Sequence, residues 1–169
     1  MPLKTRFFQL RHDYELKPFD CGNSEVNSFL TDQCQKRVKH LLSKVYVLEN
    51  EEVTMGFFSL SNSVISIQNS RSLKSGINKL MSRKDVLLLN LVRIDALPCI
   101  KVDAIGIHQE FQSKEHGTNF LNYIKVEARK SVSGCIFIIV HVYDDPSTIN
   151  FYNKKFIPSL TRLLRQRGD

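Results

Sequence analysis

The chain switches between two hydrophobic periods, and the switches mark its elements. After Phe19-Asp20-Cys21-Gly22-Asn23, apolar residues recur in steps of three and four at Val26, Phe29, Leu30, Cys34, Val38, Leu41 and Leu42. That spacing is one face of a helix, and Asn23 or Ser24 is placed to cap its start. The opposite face carries Lys36, Arg37, Lys39 and His40 and reads as solvated. Val45–Leu48 and Met55–Leu60 have the composition of strands, and the polar turn Glu49–Glu52 between them predicts an antiparallel hairpin. Residues 68–85 are polar and basic, read as loop with a short helix around Ile77–Met81. Leu87–Leu91 and Ile100–His108 are strand-like, separated by a break at Pro98. Phe120, Leu121, Ile124 and Ala128 then define a second amphipathic helix, with Arg129 and Lys130 near its end and Gly134 to stop it. Cys135–Val140 is almost continuously apolar, which predicts a strand buried on both faces and central in a sheet covered by helices. Pro146 opens a short helix through Lys154. This order of elements is that of a mixed α/β sheet, and no linker or repeat divides the 169 residues, so a single domain over 1–169 is expected.

Composition narrows the class without naming a function. Hydrophobic residues make up 42% and charged residues 24%, a globular balance rather than a disordered one. No apolar run approaches the roughly 18 residues that span a bilayer, and the N-terminal Met1-Pro2-Leu3-Lys4 lacks the core of a signal peptide. Cysteines at 21, 34, 99 and 135 have neither zinc-ligand spacing nor a disulfide pattern. A reduced, cytoplasmic protein with no metal and no membrane partner is the expectation. A net charge of +7 permits a polyanionic partner.

One polar stretch carries chemistry. Gln112-Ser113-Lys114-Glu115-His116-Gly117-Thr118 lies between the apolar run Val102–Ile107 and the helix that begins near Gly117. A strand, a short polar loop and a helix N-terminus together suit phosphate, because the first turn of a helix has unpaired N–H groups and the positive end of the dipole. Gly117 lets an anion approach the backbone closely.

In order and spacing these stretches resemble the GNAT superfamily of acyl-CoA-dependent N-acetyltransferases, in the branch that includes tRNA-acetylating toxins. Phe19-Asp20-Cys21-Gly22-Asn23 with Val26–Leu30 is similar to that branch's N-terminal helix, and Gly56–Ser61 to its second strand. Ile105-Gly106-Ile107 followed by Gln112–Gly117 resembles the acetyl-CoA strand and its pyrophosphate loop, written Q/R-x-x-G-x-G/A. Asn150-Phe151-Tyr152-Asn153-Lys154 resembles the late F-Y-x-K helix. Glu115 stands at the first glycine of the loop motif, and Asp145 where relatives carry an asparagine against the cofactor arm. The resemblance implies a mostly antiparallel central sheet with helices on both faces and a splayed pair of parallel central strands.

It also implies a reaction: transfer of an acetyl group from acetyl-CoA to a primary amine by direct attack. Ile105, Gly106, Ile107, the loop Gln112, Ser113, Lys114, Glu115, His116, Gly117, Thr118, and Asp145 would hold the cofactor. Tyr152 matches the tyrosine that protonates the departing thiolate. Asp103, His108, Glu110 and His141 are candidate bases, with Asp103 on the cofactor strand. The acceptor is a small-molecule or peptide amine, or alternatively the aminoacyl group of a charged tRNA. With tRNA, the basic residues from Lys36 to Lys44 and Arg71 to Arg83 would meet phosphates. A non-catalytic GNAT-fold binding module is the further alternative, and a homodimer and an antitoxin are the protein partners to consider.

Overall fold

A computed structural model describes residues 4–66, 96–130, 134–140, 152 and 161–163. Its first strand, β1 (Arg6–Gln9), precedes the helical region at Ser24–Lys39. That region is helix α1 (Ser24–Ser28), a π-helical turn at Phe29–Gln33, and helix α2 (Cys34–Lys39). β2 (Lys44–Glu49) and β3 (Thr54–Ser66) form the expected hairpin, and β4 (Ala96–Ile107) ends in a 3₁₀ turn at Gln109–Phe111. Helix α3 (His116–Lys130), β5 (Phe137–Val140) and β6 (Thr161–Leu163) complete the described elements. The expectations for residues 68–85, Leu87–Leu91 and most of the helix at 146–154 lie outside the described residues. Tyr152 is the exception and is helical.

Among the described residues the strands form a six-stranded mixed sheet in the order β1-β2-β3-β4-β5-β6. β1 is antiparallel to β2 and β2 to β3, with Phe8 opposite Val47 and Val47 opposite Phe57. β5 pairs with β6 in parallel, with Ile138 opposite Thr161 in the register. By backbone contacts the chain divides into two compact units, Met1–Asn62 with Lys101–Glu127 and Ser63–Ile100 with Ala128–Asp169. β3 and β4 contribute residues to both.

In the first unit the two-residue strand period sorts side chains onto two faces. Val45, Val47 and Phe57 pack with Val26, Leu30, Cys34 and Leu10 under α1. Tyr46 and Phe58 point the other way, where Phe58 meets Phe120 of α3 at 5.2 Å and Tyr46 meets Tyr123 at 5.3 Å. The expected helical stripe of Phe120, Leu121, Ile124 and Ala128 is buried throughout. In the second unit Leu97, Cys99, Phe137 and Ile139 form a separate small core with Ile65 and Ile136.

Two expectations are corrected, and two strands are added. Leu41 and Leu42 do not join the buried face; they are 91% and 59% exposed. The helix ends at Lys39, because Leu41 turns left-handed (φ 57°). There Leu41 N donates to Val38 O and Leu42 N to Arg37 O, the hydrogen bonds of a Schellman turn. Pro98 does not break a strand but lies inside β4. A proline lacks only the donor, and its carbonyl still accepts from Ile136 N at 3.0 Å. Finally, the sheet has a short first strand and a C-terminal strand, β6, that no sequence pattern marked.

Candidate functional site

Within the first unit, β4 delivers the chain into the polar loop, whose path is shaped by hydrogen bonds from its own side chains. His108 N donates to Met55 O at 2.9 Å, extending the pairing of β4 with β3 by one residue. His108 caps the 3₁₀ turn, with Nδ1 facing Glu110 N at 3.4 Å. Its ring lies between Phe19 and Phe111 at 6.2 and 5.9 Å, so the imidazole is part of an aromatic row. Gln112 Nε2 donates to Ile107 O and to Cys21 O, both at 3.0 Å, and so closes the turn against the strand end. Ser113 (φ 60°) and Glu115 (φ 63°) are both left-handed, and Glu115 O accepts from Asn119 N to start α3.

Glu115 thus holds a backbone conformation that glycine adopts without cost, at the position where the motif has its first glycine. A non-glycine residue in this region stores about 1–3 kcal/mol. The surrounding bonds at Gln112 and Asn119 impose it. The first N–H groups of α3 have no partner within the helix, and the Glu115 side chain is exposed. Lys114 sets its ammonium 5.2 Å from the Phe111 ring centroid, and the His116 ring lies 6.3 Å from that of Phe111. No group of histidine, cysteine and carboxylate residues suited to a metal exists among the described residues.

The Phe19–Asn23 segment braces this loop. Asp20 accepts from Gly22 N at 2.8 Å, Asn27 Nδ2 at 2.8 Å and Gln109 Nε2 at 2.9 Å. Gln109 N also donates to Asp20 O at 2.9 Å. The Gly22 backbone bond, then Asn27 and Gln109, hold the Asp20 carboxyl below its ordinary value. Gly22 takes φ 82°, a turn glycine, and Asn23 Oδ1 caps α1 through Glu25 N and Val26 N. Cys21 is half-buried, and burial raises its thiol.

β4 itself is irregular between Asp103 and Gly106. A Cβ on Gly106 would lie 2.9 Å from Val26, 3.0 Å from Phe19 and 3.1 Å from Phe57, so the residue faces the α1 core. Asp103 faces the same side, because it bonds Ser59 and Ser61, which share a face with Phe57. An unbroken strand cannot put residues three apart on one face, so the strand is re-aimed there, as at a bulge. Ile107 packs toward Gly56, where an added Cβ would come within 2.8 Å of it. Gly56 and Gly106 are therefore close-packing glycines.

Asp103, expected as a base, is a buried hub. Its side chain is 6% exposed. Oδ2 accepts from Arg37 Nη2 and Ser43 Oγ at 3.1 Å and from Ser59 Oγ at 3.4 Å, and Oδ1 from Ser61 Oγ at 2.9 Å. Lys101 Nζ stands 3.9 Å from Oδ1. The three serines were not among the expected site residues, although Ser59 and Ser61 alternate on one face of an otherwise apolar strand, a signal for a buried polar network. Tyr152 belongs to the second unit, where it is 5% exposed and burial raises its phenol well above the ordinary value. Glu110 is exposed. Asp145 and His141 lie outside the described residues.

No family model and no curated protein matches the chain. Solved structures do. A tyrosine-to-phenylalanine mutant of KacT superposes with a TM-score of 0.66 at 18% identity, covering 90% of this chain and 86% of the other. AtaT complexed with acetyl-methionyl-tRNAfMet gives 0.64 at 19% identity over 89% and 85%. A mutant AtaT toxin bound to the C-terminus of the antitoxin AtaR and acetyl-CoA gives 0.64 at 17% identity over 89% and 82%. At such identities the likeness is one of fold: the chain has the GNAT fold that these proteins share.

Proposed function

We propose that the protein is an acyl-CoA-dependent N-acetyltransferase whose acceptor is the amine of an aminoacyl-tRNA. The observation that carries this reading is the loop from Gln112 to Gly117, with its left-handed Glu115 opening onto the N-terminus of a 15-residue helix. That geometry suits a pyrophosphate even though a motif glycine is missing. Two further facts support it. Fold relatives were solved with acetyl-CoA and with an acetylated aminoacyl-tRNA, and the net charge of +7 favours a polyanion. The antitoxin segment on AtaT supports an antitoxin as protein partner.

Acetyl-CoA, when bound, supplies the acetyl group as a thioester. The chain's own residues then have four tasks. The N–H groups at the start of α3 hold the pyrophosphate. Ile105, Gly106 and Ile107 present backbone to the cofactor arm beside the irregular stretch of β4. Positioning and backbone donors of this kind contribute several kcal/mol, about as much as an oxyanion hole. Tyr152 donates a proton to the departing sulfur as the amine nitrogen bonds the acetyl carbon. A phenol is protonated at neutral pH, as a proton donor must be, and burial raises this one further. The amine's proton passes to water, because an aminoacyl ester has a low enough amine pKa to need no strong base.

Calorimetry and single-turnover transfer from acetyl-CoA to charged tRNA test this on three proteins. Wild type should bind and transfer. Gly117→Trp should abolish binding by filling the helix terminus, and Tyr152→Phe should bind normally but lose about 10²-fold or more in rate. A Tyr152→Phe enzyme as fast as wild type removes Tyr152 from the mechanism. A wild type that does not bind acetyl-CoA removes the enzyme.

A further inference from the structure

The basic face of α2 is not uniform. Lys36, Lys39 and His40 belong to it, but Arg37 is the residue held in place. Its Nε donates to Ser43 Oγ at 2.8 Å and its Nη2 to Asp103 Oδ2 at 3.1 Å. Ser43 Oγ itself donates to Asp103, so the guanidinium, the hydroxyl and the carboxylate close a ring. The guanidinium carbon lies 5.6 Å from the Phe29 ring centroid. The side chain is still 28% exposed, and Lys101 adds a second cation on the other carboxylate oxygen. Two cations on one carboxylate leave the cluster with an excess positive charge, and a fixed, partly exposed guanidinium matches the geometry of a phosphate.

We propose that Arg37 is a preorganised phosphate contact for the tRNA acceptor and that Asp103 is its positioning residue. This rests on the tRNA reading above. Asp103 is unsuited to take the amine's proton: its side chain is buried and both oxygens already accept hydrogen bonds, from three hydroxyls and a guanidinium. It works instead through Arg37, fixing a side chain that would otherwise lose rotamer freedom on binding. Its place, two residues before Ile105 on β4, sets the phosphate contact close to the strand that meets the cofactor. The lysines of the same face contribute charge as ammonium groups, without the fork of a guanidinium.

The test is tRNA binding by fluorescence anisotropy over a range of salt, on wild type, Arg37→Ala, Arg37→Lys, Asp103→Asn and the double variant, with acetyl-CoA calorimetry on each. Arg37→Ala should weaken binding and lower the slope of log K against log salt by about 1. Arg37→Lys should restore the slope but not the affinity, because a point charge lacks the fork. Asp103→Asn should weaken binding as Arg37→Ala does, and the double variant should be no worse than either single one. Acetyl-CoA affinity should be unchanged throughout. If Asp103→Asn does not fold, Ser61→Ala, which removes one bond to the same carboxylate, should give an intermediate loss. An unchanged slope in Arg37→Ala, additive losses in the double variant, or no tRNA binding by wild type overturns the proposal. Failure of wild type to bind acetyl-CoA overturns the acetyltransferase reading instead, and leaves the salt slopes to decide Arg37.

Discussion

Glu115 combines two separable costs: a left-handed backbone and a carboxylate beside the proposed pyrophosphate site. Glu115→Gln removes the charge and keeps the strain. Glu115→Gly removes both. Two unit charges about 4 Å apart in water interact by about 1 kcal/mol, so each variant should bind acetyl-CoA up to about fivefold tighter by calorimetry. Only the glycine variant should also gain stability. Relief of about 1–2 kcal/mol of left-handed strain is partly offset by the entropy of a new glycine, about 0.4–1 kcal/mol. A net gain of about 0.5–1 kcal/mol in urea unfolding is expected. Equal stability of the two variants would show that the loop is not strained at Glu115. The motif comparison located this residue from sequence, since a missing glycine is visible there. Whether the backbone would keep the glycine's conformation was not visible, because φ is set by the closure of the loop through Gln112 and Asn119.

At the scale of elements, two joints follow the same logic. α2 ends in a Schellman turn with leucine at the left-handed position and 91% exposed. Leu41→Gly loses almost no buried surface and relieves the turn, so the protein should gain about 1 kcal/mol and melt a few degrees higher. The second joint is the Asp20 hub. Its carboxyl is held below the ordinary 3.8, so its contribution is full above that pH and is lost as the pH falls through the lowered value. Wild type should therefore be more stable than Asp20→Asn at pH 6, and the gap should close below pH 3.8 in urea titrations. A gap independent of pH would mean that the carboxylate charge is idle. The hairpin, the cap at Asn23 and the stripe of α3 were legible because each is a local pattern of period or side-chain chemistry. Leu41 and Leu42 misled because the helical period continues in the sequence past the residue where the backbone turns.

For the whole molecule, the proposed cofactor makes a thermodynamic demand. A ligand that binds only the folded state at 100 times its Kd adds about 2.7 kcal/mol. Acetyl-CoA at that excess should raise the unfolding free energy by this amount in wild type and by none in Gly117→Trp. No rise in wild type would favour the non-catalytic binding module. The two compact units share β3 and β4, so a single cooperative transition would support the expectation of one domain.

The order of residues was enough for the mixed α/β class, the α1 and α3 faces, the hairpin and the position of the polar loop. These depend on periodicity and capping, which act over a few residues. The surroundings of Asp103 were set in three dimensions. A carboxylate on a strand is a base or an anchor according to which donors reach it. Here those donors are Arg37, Ser43, Ser59 and Ser61, brought to it across up to 66 residues of chain. The same holds for the Phe19–Asn23 segment, whose resemblance marked its importance but whose grip on Gln109 and Gln112 exists only once β4 lies beside it. Hydrogen bonds between segments so distant in sequence leave no periodic trace along the chain.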